Sequence, residues 1–281
     1  MKFIKRLFIG LALGILVVIP GLSTGTLAVI FNVYDGLIQI ITPNVKKIIK
    51  EWKFWLPLVI GGVAGLAFIS KIVTAAYDKY PFPITWFFMG VIAGSLPLLY
   101  GRMKPASFKT QSFMRTKALP APAPLICAAI ALAVMIVMAV FSPDEGVTVY
   151  TEITPRLFAL LALAGAFSAI AMIIPGISGA FLLLLIGLYR TVIQSVSSFN
   201  IPLLIPFALG ILAGLLAGAA FVRFLLSKAP SETYGAVFGL VAGSIAVLYP
   251  GGLGAGSTAV ISLICFFAGA VISFLLGWKK N

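Results

Sequence analysis

The sequence predicts an all-α polytopic membrane protein built from two inverted-topology repeats, each a re-entrant helical hairpin followed by about three transmembrane helices. Three observations carry that prediction: a composition too apolar for water, a Pro-Gly-x-Ser element that occurs twice, and a cation distribution that alternates along the chain.

Of the 281 residues, 61% are hydrophobic and only 10% charged, whereas soluble domains are about half apolar and a quarter charged. A mean hydropathy of +1.15 with 28 Gly and 17 Pro describes many apolar helices with interruptions. Histidine is absent, which removes the commonest general base and metal ligand. Metal-dependent and histidine-based catalysis are therefore not expected, and no cofactor or metal is assigned. Cys127 and Cys265 sit in apolar runs and read as packing residues rather than a disulfide. The opening MKFIKRLFIGLALGILVV has the basic flank and apolar run of a secretory signal. It lacks a clean cleavage pattern and leads into a segment that recurs later, so it is expected to stay in the mature chain.

The repeat is visible in Ile19-Pro20-Gly21-Leu22-Ser23-Thr24-Gly25, answered by Ile174-Pro175-Gly176-Ile177-Ser178-Gly179. At the same offset Tyr34 matches Tyr189, and Ile38-Gln39 matches Ile193-Gln194. A second block matches at a slightly different offset, pairing Pro57 with Pro206, Gly61 with Gly210, Gly65 with Gly214 and Pro81 with Pro230. It closes with Gly90, Gly94, Ser95 and Tyr100 against Gly239, Gly243, Ser244 and Tyr249. The chain thus reads as a single membrane domain of two homologous halves, 1–120 and 121–281, a pattern that points to a transporter-like architecture. Broken apolar stretches are expected over 3–41 and 157–198. Whole spans are expected near 54–76, 84–101, 121–141, 201–226, 234–249 and 257–277. Each Pro-Gly turn is uncharged and embedded in apolar sequence, as the tip of a re-entrant hairpin would be.

The charges give an independent check. With the N-terminus (Lys2, Lys5, Arg6) inside, Lys46, Lys47, Lys50 and Lys53, then Arg102, Lys104, Lys109, Arg115 and Lys117, all fall on the cytoplasmic side. Asp144, Glu145 and Glu152 fall outside, and Lys279 and Lys280 inside. Lys79, Arg156 and Arg190 remain for the outer side. The net charge of +13 is therefore explained by topology and contact with anionic lipid, and nucleic acid is not needed. The two hairpins then enter from opposite faces.

Both motifs begin a helical limb at membrane depth, where unpaired N–H groups and the positive end of a helix favour an anion. Ser23, Thr24, Gly25 and Thr26 on one side, with Gly176, Ser178 and Gly179 on the other, are the candidate site. Small residues that only permit close helix packing are the competing reading. Arg190, whose guanidinium offers planar, permanent charge, is a candidate for capturing a phosphate at the outer face, and Lys71 a candidate to support it. Asp35, at the position equivalent to Arg190, is a candidate for proton coupling. Arg223 reads as an anchor at the inner face.

PGLSTGTLAVI with the following VYDGLI, IIPGISGAFLLLLIGLYRTVI, and GLVAGSIAVLYPGG together resemble the PopT family, bacterial polytopic proteins proposed to translocate undecaprenyl phosphate. The first motif departs from the family's Ser-Gly-Gly-Thr-like element by carrying Thr24 in place of a glycine. The resemblance runs through nearly the whole chain. It implies a non-enzymatic flippase in the bacterial cytoplasmic membrane that returns the lipid phosphate to the inner leaflet. A transporter or channel for a small soluble anion is the alternative. A polyprenyl-phosphate phosphatase is disfavoured because neither a histidine nucleophile nor a Mg2+-binding carboxylate cluster is visible. No phosphate-binding P-loop is present to draw on ATP. If the topology holds, an impermeant thiol reagent leaves Ser107→Cys unlabelled from outside, and strong outside labelling contradicts both the topology and the inverted repeat.

Overall fold

The computed structural model describes residues 2–16, 23–69, 75–77, 79–103, 121–140 and 149–278. The Pro20-Gly21 pair, Lys71, the acidic Asp144 and Glu145, the 104–120 segment and Lys279–Lys280 are outside the described residues. Among the described residues every regular element is helical: α1 (Lys2–Leu16), α2 (Thr24–Ile30), α3 (Tyr34–Ile40), α4 (Val45–Lys50), α5 (Trp52–Ala64), α6 (Pro81–Arg102) and α7 (Pro122–Val140). They continue as α8 (Pro155–Ile173), α9 (Gly179–Ile186), α10 (Tyr189–Ser197), α11 (Ile201–Lys228), α12 (Pro230–Leu248) and α13 (Ser257–Trp278).

Local chemistry sets the starts. Proline opens α6, α8 and α12, where its missing N–H costs nothing and its fixed φ suits the first turn. Thr154 accepts from the Leu157 N–H at the start of α8, and Asn44 from Lys47 N–H at the start of α4. Pro57 and Pro206 lie inside α5 and α11, at positions the repeat had already paired. Beyond Ala64 the chain runs on as a π-helical turn over Gly65–Ile69.

Among the described residues six helices are long and apolar enough to cross a membrane, and five of them are α6, α7, α11, α12 and α13, close to the predicted spans. The sixth is α8, the first limb of the second broken stretch. Their outward faces are apolar: Val140, Ile264 and Phe267 are each more than 60% exposed. That pattern suits hydrocarbon surroundings rather than water. The chain is thus a multi-pass membrane protein.

The helices pair closely along stripes of small residues, as lipid-embedded helices do. Gly10 backs onto the Leu58 carbonyl and Gly61 onto that of Leu7, so α1 and α5 run parallel. Gly165 backs onto the Phe207 carbonyl and Gly210 onto that of Ala162, giving a parallel α8·α11 pair. These second contacts are the first ones carried along the chain by the two offsets that relate the motifs. Two further parallel pairs join distant parts of the chain: α6 with α13 through Gly90 and Gly94, and α7 with α12 through Gly235 and Gly239.

The limbs of the second broken stretch differ in length. α8 has 19 residues and α9 only eight, after which the chain bends by 112° into α10. The end of α8 sits at the level of Gly218 on α11, and α11 continues to Lys228, about 15 Å further at 1.5 Å per residue. The bend falls at Gly187 with φ 76°, and the equivalent turn between α2 and α3 falls at Asn32 with φ 55°. The short α2 is the centre of the core: Leu27, Ala28, Val29 and Ile30 are at most 3% exposed and pack with Ile92, Leu99, Ala219 and Val241.

A side chain at Gly210 would meet the Ala162 backbone, which cannot yield as a flexible side chain could. Overpacking of this kind costs about 1–3 kcal/mol or more. Gly210→Val and its counterpart Gly61→Val are each expected to lower the thermal unfolding midpoint in detergent by several degrees; an unchanged midpoint in both contradicts the helix pairing.

Candidate functional site

Among the described residues, two places where polar groups come together involve α2 or the turn that follows it. The first is where residues 23–26, which follow the first Pro-Gly pair in sequence, meet the turn at Pro175-Gly176. Ser23 is the N-cap residue of α2, in extended conformation, and its hydroxyl caps nothing. It is 5% exposed, and its Oγ is buried without a hydrogen-bond partner. Three residues on, Thr26 is 2% exposed and its Oγ1 accepts from the Gly176 N–H at 2.8 Å. Gly25 lies against the same turn: a Cβ there would stand 3.2 Å from both the Ile173 carbonyl oxygen and Pro175 Cα. Gly25 and Thr26 thus lie against residues 172–176.

The roles within the motifs are unequal. Thr26 is engaged as a strut, supplying the acceptor for a backbone N–H that the break in the helix has freed. Gly176 has φ 93°, a left-handed conformation that glycine alone adopts without strain, and a Cβ there would stand 2.6 Å from the Leu240 carbonyl oxygen. Gly179 is held on the other side, its carbonyl accepting from the Ser168 hydroxyl at 2.9 Å. Thr24 is half-buried, as is Ser178, which starts α9 without a side-chain cap bond. Ser178 opens on a narrow cleft with Met135, Met138 and Phe181. Ser23 stands apart as the group whose bonding is incomplete. A buried hydroxyl without a partner costs about 1–3 kcal/mol, and an anion accepting from it removes that cost.

The second place lies at the far end of α2. The Arg102 guanidinium, at the last residue of α6, donates from Nη1 to Asp35 Oδ2 at 3.2 Å and to the Tyr234 hydroxyl at 2.6 Å. Its Nη2 donates to Asn32 Oδ1. Tyr234 in turn donates to the Asp35 carboxylate, 2.9 Å and 3.1 Å from its two oxygens. The guanidinium carbon also lies 5.1 Å from the centre of the Tyr234 ring, within cation–π reach. Beside this cluster Arg223 Nη1 donates to the carbonyls of Ile38 and Ile41, each at 2.6 Å, closing the exposed C-terminal end of α3. A cleft of about 380 Å³ opens next to them, walled by Asp35, Gln39, Arg223, Ser227 and Tyr234.

Asp35 is therefore an ion-pair partner, and Arg223 holds α3 in place as well as marking the end of α11. Arg190 is exposed at the start of α10, beyond the bend that follows α9. Lys71 is outside the described residues. The sequence reading passed over Arg102 as one topology-setting cation among many and did not single out Tyr234. The signal that could have pointed to them is Asp35 itself, a carboxylate in an apolar limb that requires a cation nearby. Among the described residues no three His, Cys, Asp or Glu side chains come together to hold a metal.

The comparisons with known proteins agree with the resemblance read from the motifs. The undecaprenyl phosphate translocase-like family matches residues 13–261. A polyprenyl-phosphate transporter of Vibrio cholerae is 28% identical over 264 residues, covering 89% of this chain and 79% of its own. A polyprenyl-phosphate transporter of Staphylococcus aureus is 27% identical over 279 residues, covering 95% and 94%. No solved structure matches the chain significantly. With the family's match running from α1 into α13, across both motifs, the chain belongs to the undecaprenyl phosphate translocase-like family.

Proposed function

We propose that this protein carries a polyprenyl monophosphate, undecaprenyl phosphate in particular, from the outer to the cytoplasmic leaflet of the bacterial cytoplasmic membrane. It does so as a transporter without an enzymatic step, sheltering the phosphate between its two Pro-Gly-x-Ser hairpins. The observation that carries this reading is the buried, unpartnered Ser23 hydroxyl beside the contact of Thr26 with Gly176. The names of the two relatives support the substrate class.

The physical task is narrow. A polyprenyl tail stays in hydrocarbon throughout, so only the phosphate needs a route. Leaving it bare at the bilayer centre is prohibitive, because a desolvated charge costs far more than any single contact returns. Donors fixed in place at mid-depth lower that barrier: the Ser23 hydroxyl, the Ser178 hydroxyl, and the free N–H groups that open α9. Thr24, Gly25, Gly176 and Gly179 shape the approach by keeping the backbone accessible.

The architecture suited to this is the inverted repeat, with halves 1–120 and 121–281. Its support is the recurrence of the α1·α5 contacts in α8·α11, and of the left-handed turn at Asn32 in Gly187. The second stretch as a re-entrant hairpin is supported by α8 ending about 15 Å short of the end of its partner α11. On this reading Arg190, exposed on the outer side, captures the headgroup before it enters, with Lys71 beside the path. The N- and C-termini face the cytoplasm.

Ser23→Ala removes the donor and leaves the packing nearly unchanged. It is expected to slow flipping of undecaprenyl phosphate in proteoliposomes about tenfold, the equivalent of one hydrogen bond to a charged group, with the thermal midpoint unchanged or raised. Wild-type rates in this variant contradict the shared site. Inhibition of wild-type flipping by millimolar inorganic phosphate, with uptake of that phosphate into the vesicles, would favour a small-anion transporter instead.

A further inference from the structure

Resting on this transport reading, we infer that the cleft between α3, α11 and α12 is a second phosphate-monoester site, where the headgroup displaces the Asp35 carboxylate from Arg102 and Tyr234 on its way out. The Asp35 carboxylate already occupies the place such a group would take. It accepts from the Arg102 guanidinium at 3.2 Å and from the Tyr234 hydroxyl at 2.9 Å, the contacts an arginine and a phenol make with any oxyanion. A phosphate monoester offers the same charged oxygens, with one more to share.

The surroundings favour exchange of one anion for the other. The Arg102 side chain is 16% exposed and fixed by Asn32 and Tyr234, whereas the Asp35 side chain is 44% exposed. The cation is therefore the enclosed member of the pair, and the carboxylate is the member with solvent on one side to move into. The open cleft of about 380 Å³ lies on that exposed side, with Arg223 in its wall. Arg223 is pinned by the Ile38 and Ile41 carbonyls, so it adds a fixed positive charge, and among the described residues that line the cleft Asp35 is the one acid. Once Asp35 leaves, the Arg102 guanidinium and the Tyr234 hydroxyl lose the acceptor they share, while Arg223 remains in the wall of the cleft.

Distance makes the cleft the next stop after the motif junction. α2 begins at Thr24 and its seven residues span about 10 Å, and the turn that follows places Asn32 on Arg102. A headgroup leaving Ser23 thus meets Arg102 after one short helix, at the end of the bundle assigned to the cytoplasm. Arg102 and Tyr234 without a competitor would hold a phosphate too long. The tethered carboxylate competes for the same donors, and its return releases the lipid.

The test uses the full-length protein in nanodiscs, with farnesyl monophosphate and inorganic phosphate as probes in calorimetric titrations. Flipping of undecaprenyl phosphate in proteoliposomes is measured alongside. Asp35→Asn removes the competitor without changing its size. It is expected to bind farnesyl monophosphate about tenfold more tightly while flipping more slowly, a gain that a merely structural ion pair would not produce. Tightening shared by inorganic phosphate assigns the site to phosphate alone; tightening confined to the lipid probe shows that the tail contributes. Tyr234→Phe keeps the ring under Arg102 and removes one donor. It is expected to weaken binding of both the lipid probe and inorganic phosphate or of the lipid probe alone, and it reads the site even where Asp35→Asn does not fold. Unchanged or weaker binding of both probes in Asp35→Asn, or unchanged binding in Tyr234→Phe, overturns the inner site. Wild-type protein that flips no undecaprenyl phosphate overturns the transport reading instead.

Discussion

A backbone N–H released by a break in a helix, inside an apolar bundle, must find an acceptor, and the structure depends on how this chain supplies one. Gly176 lies in the turn after α8, where the ladder of helical hydrogen bonds has stopped. Its N–H is met by the Thr26 hydroxyl from the other half of the chain. In water the loss of that bond would be repaired by solvent; in a membrane interior it would not. One side-chain oxygen therefore joins the two motifs. It fixes the start of α2 against the end of α8 and brings a second hydroxyl, that of Ser23, to the same buried place.

From that joint the rest of the bundle follows in layers. α2 is enclosed on nearly every side, with Val29 fully buried, because it is short, apolar and tethered at its first turn. The parallel pairs α1·α5 and α8·α11 stand against it. The pairs α6·α13 and α7·α12 link sequence-distant helices, and the first of them joins the two halves, so neither half could be removed without opening the other's packing. At its far end α2 delivers Asn32 and Asp35 to Arg102, which couples the buried junction to a charged cluster through about 10 Å of helix.

Much of this was legible in the sequence because the dominant forces are one-dimensional. Hydropathy alone located α6, α7, α11, α12 and α13, since a span of about 20 apolar residues has few alternatives. Glycines that the two offsets pair in the sequence, Gly61 with Gly210 among them, lie at close helix contacts in the fold. The unequal limbs of the second stretch were not legible. Nothing in the composition of 157–198 distinguishes an early turn from a late one, and the position of the bend is set by the left-handed Gly187 and by packing on α11. The π-helical turn at Gly65–Ile69 left no signal either. In the site, the residue types were readable but their duties were not: Thr26 bears structure, and Ser23 keeps its hydroxyl unspent. The Asp35–Arg102–Tyr234 cluster joins residues 67 and 199 positions apart. Arg102 had been accounted for as a topology charge, so its pairing could emerge only from the fold.

The account stands or falls on whether a lipid phosphate visits the junction of the two motifs. Cryo-electron microscopy of the protein in nanodiscs containing undecaprenyl phosphate tests this most directly. The account predicts a state with phosphate density within about 4 Å of Ser23 Oγ, close enough for a hydrogen bond to one of its oxygens, and with the tail running out between the helices. Headgroup density found only at the two membrane surfaces, with the junction closed and dry in every state, would contradict it.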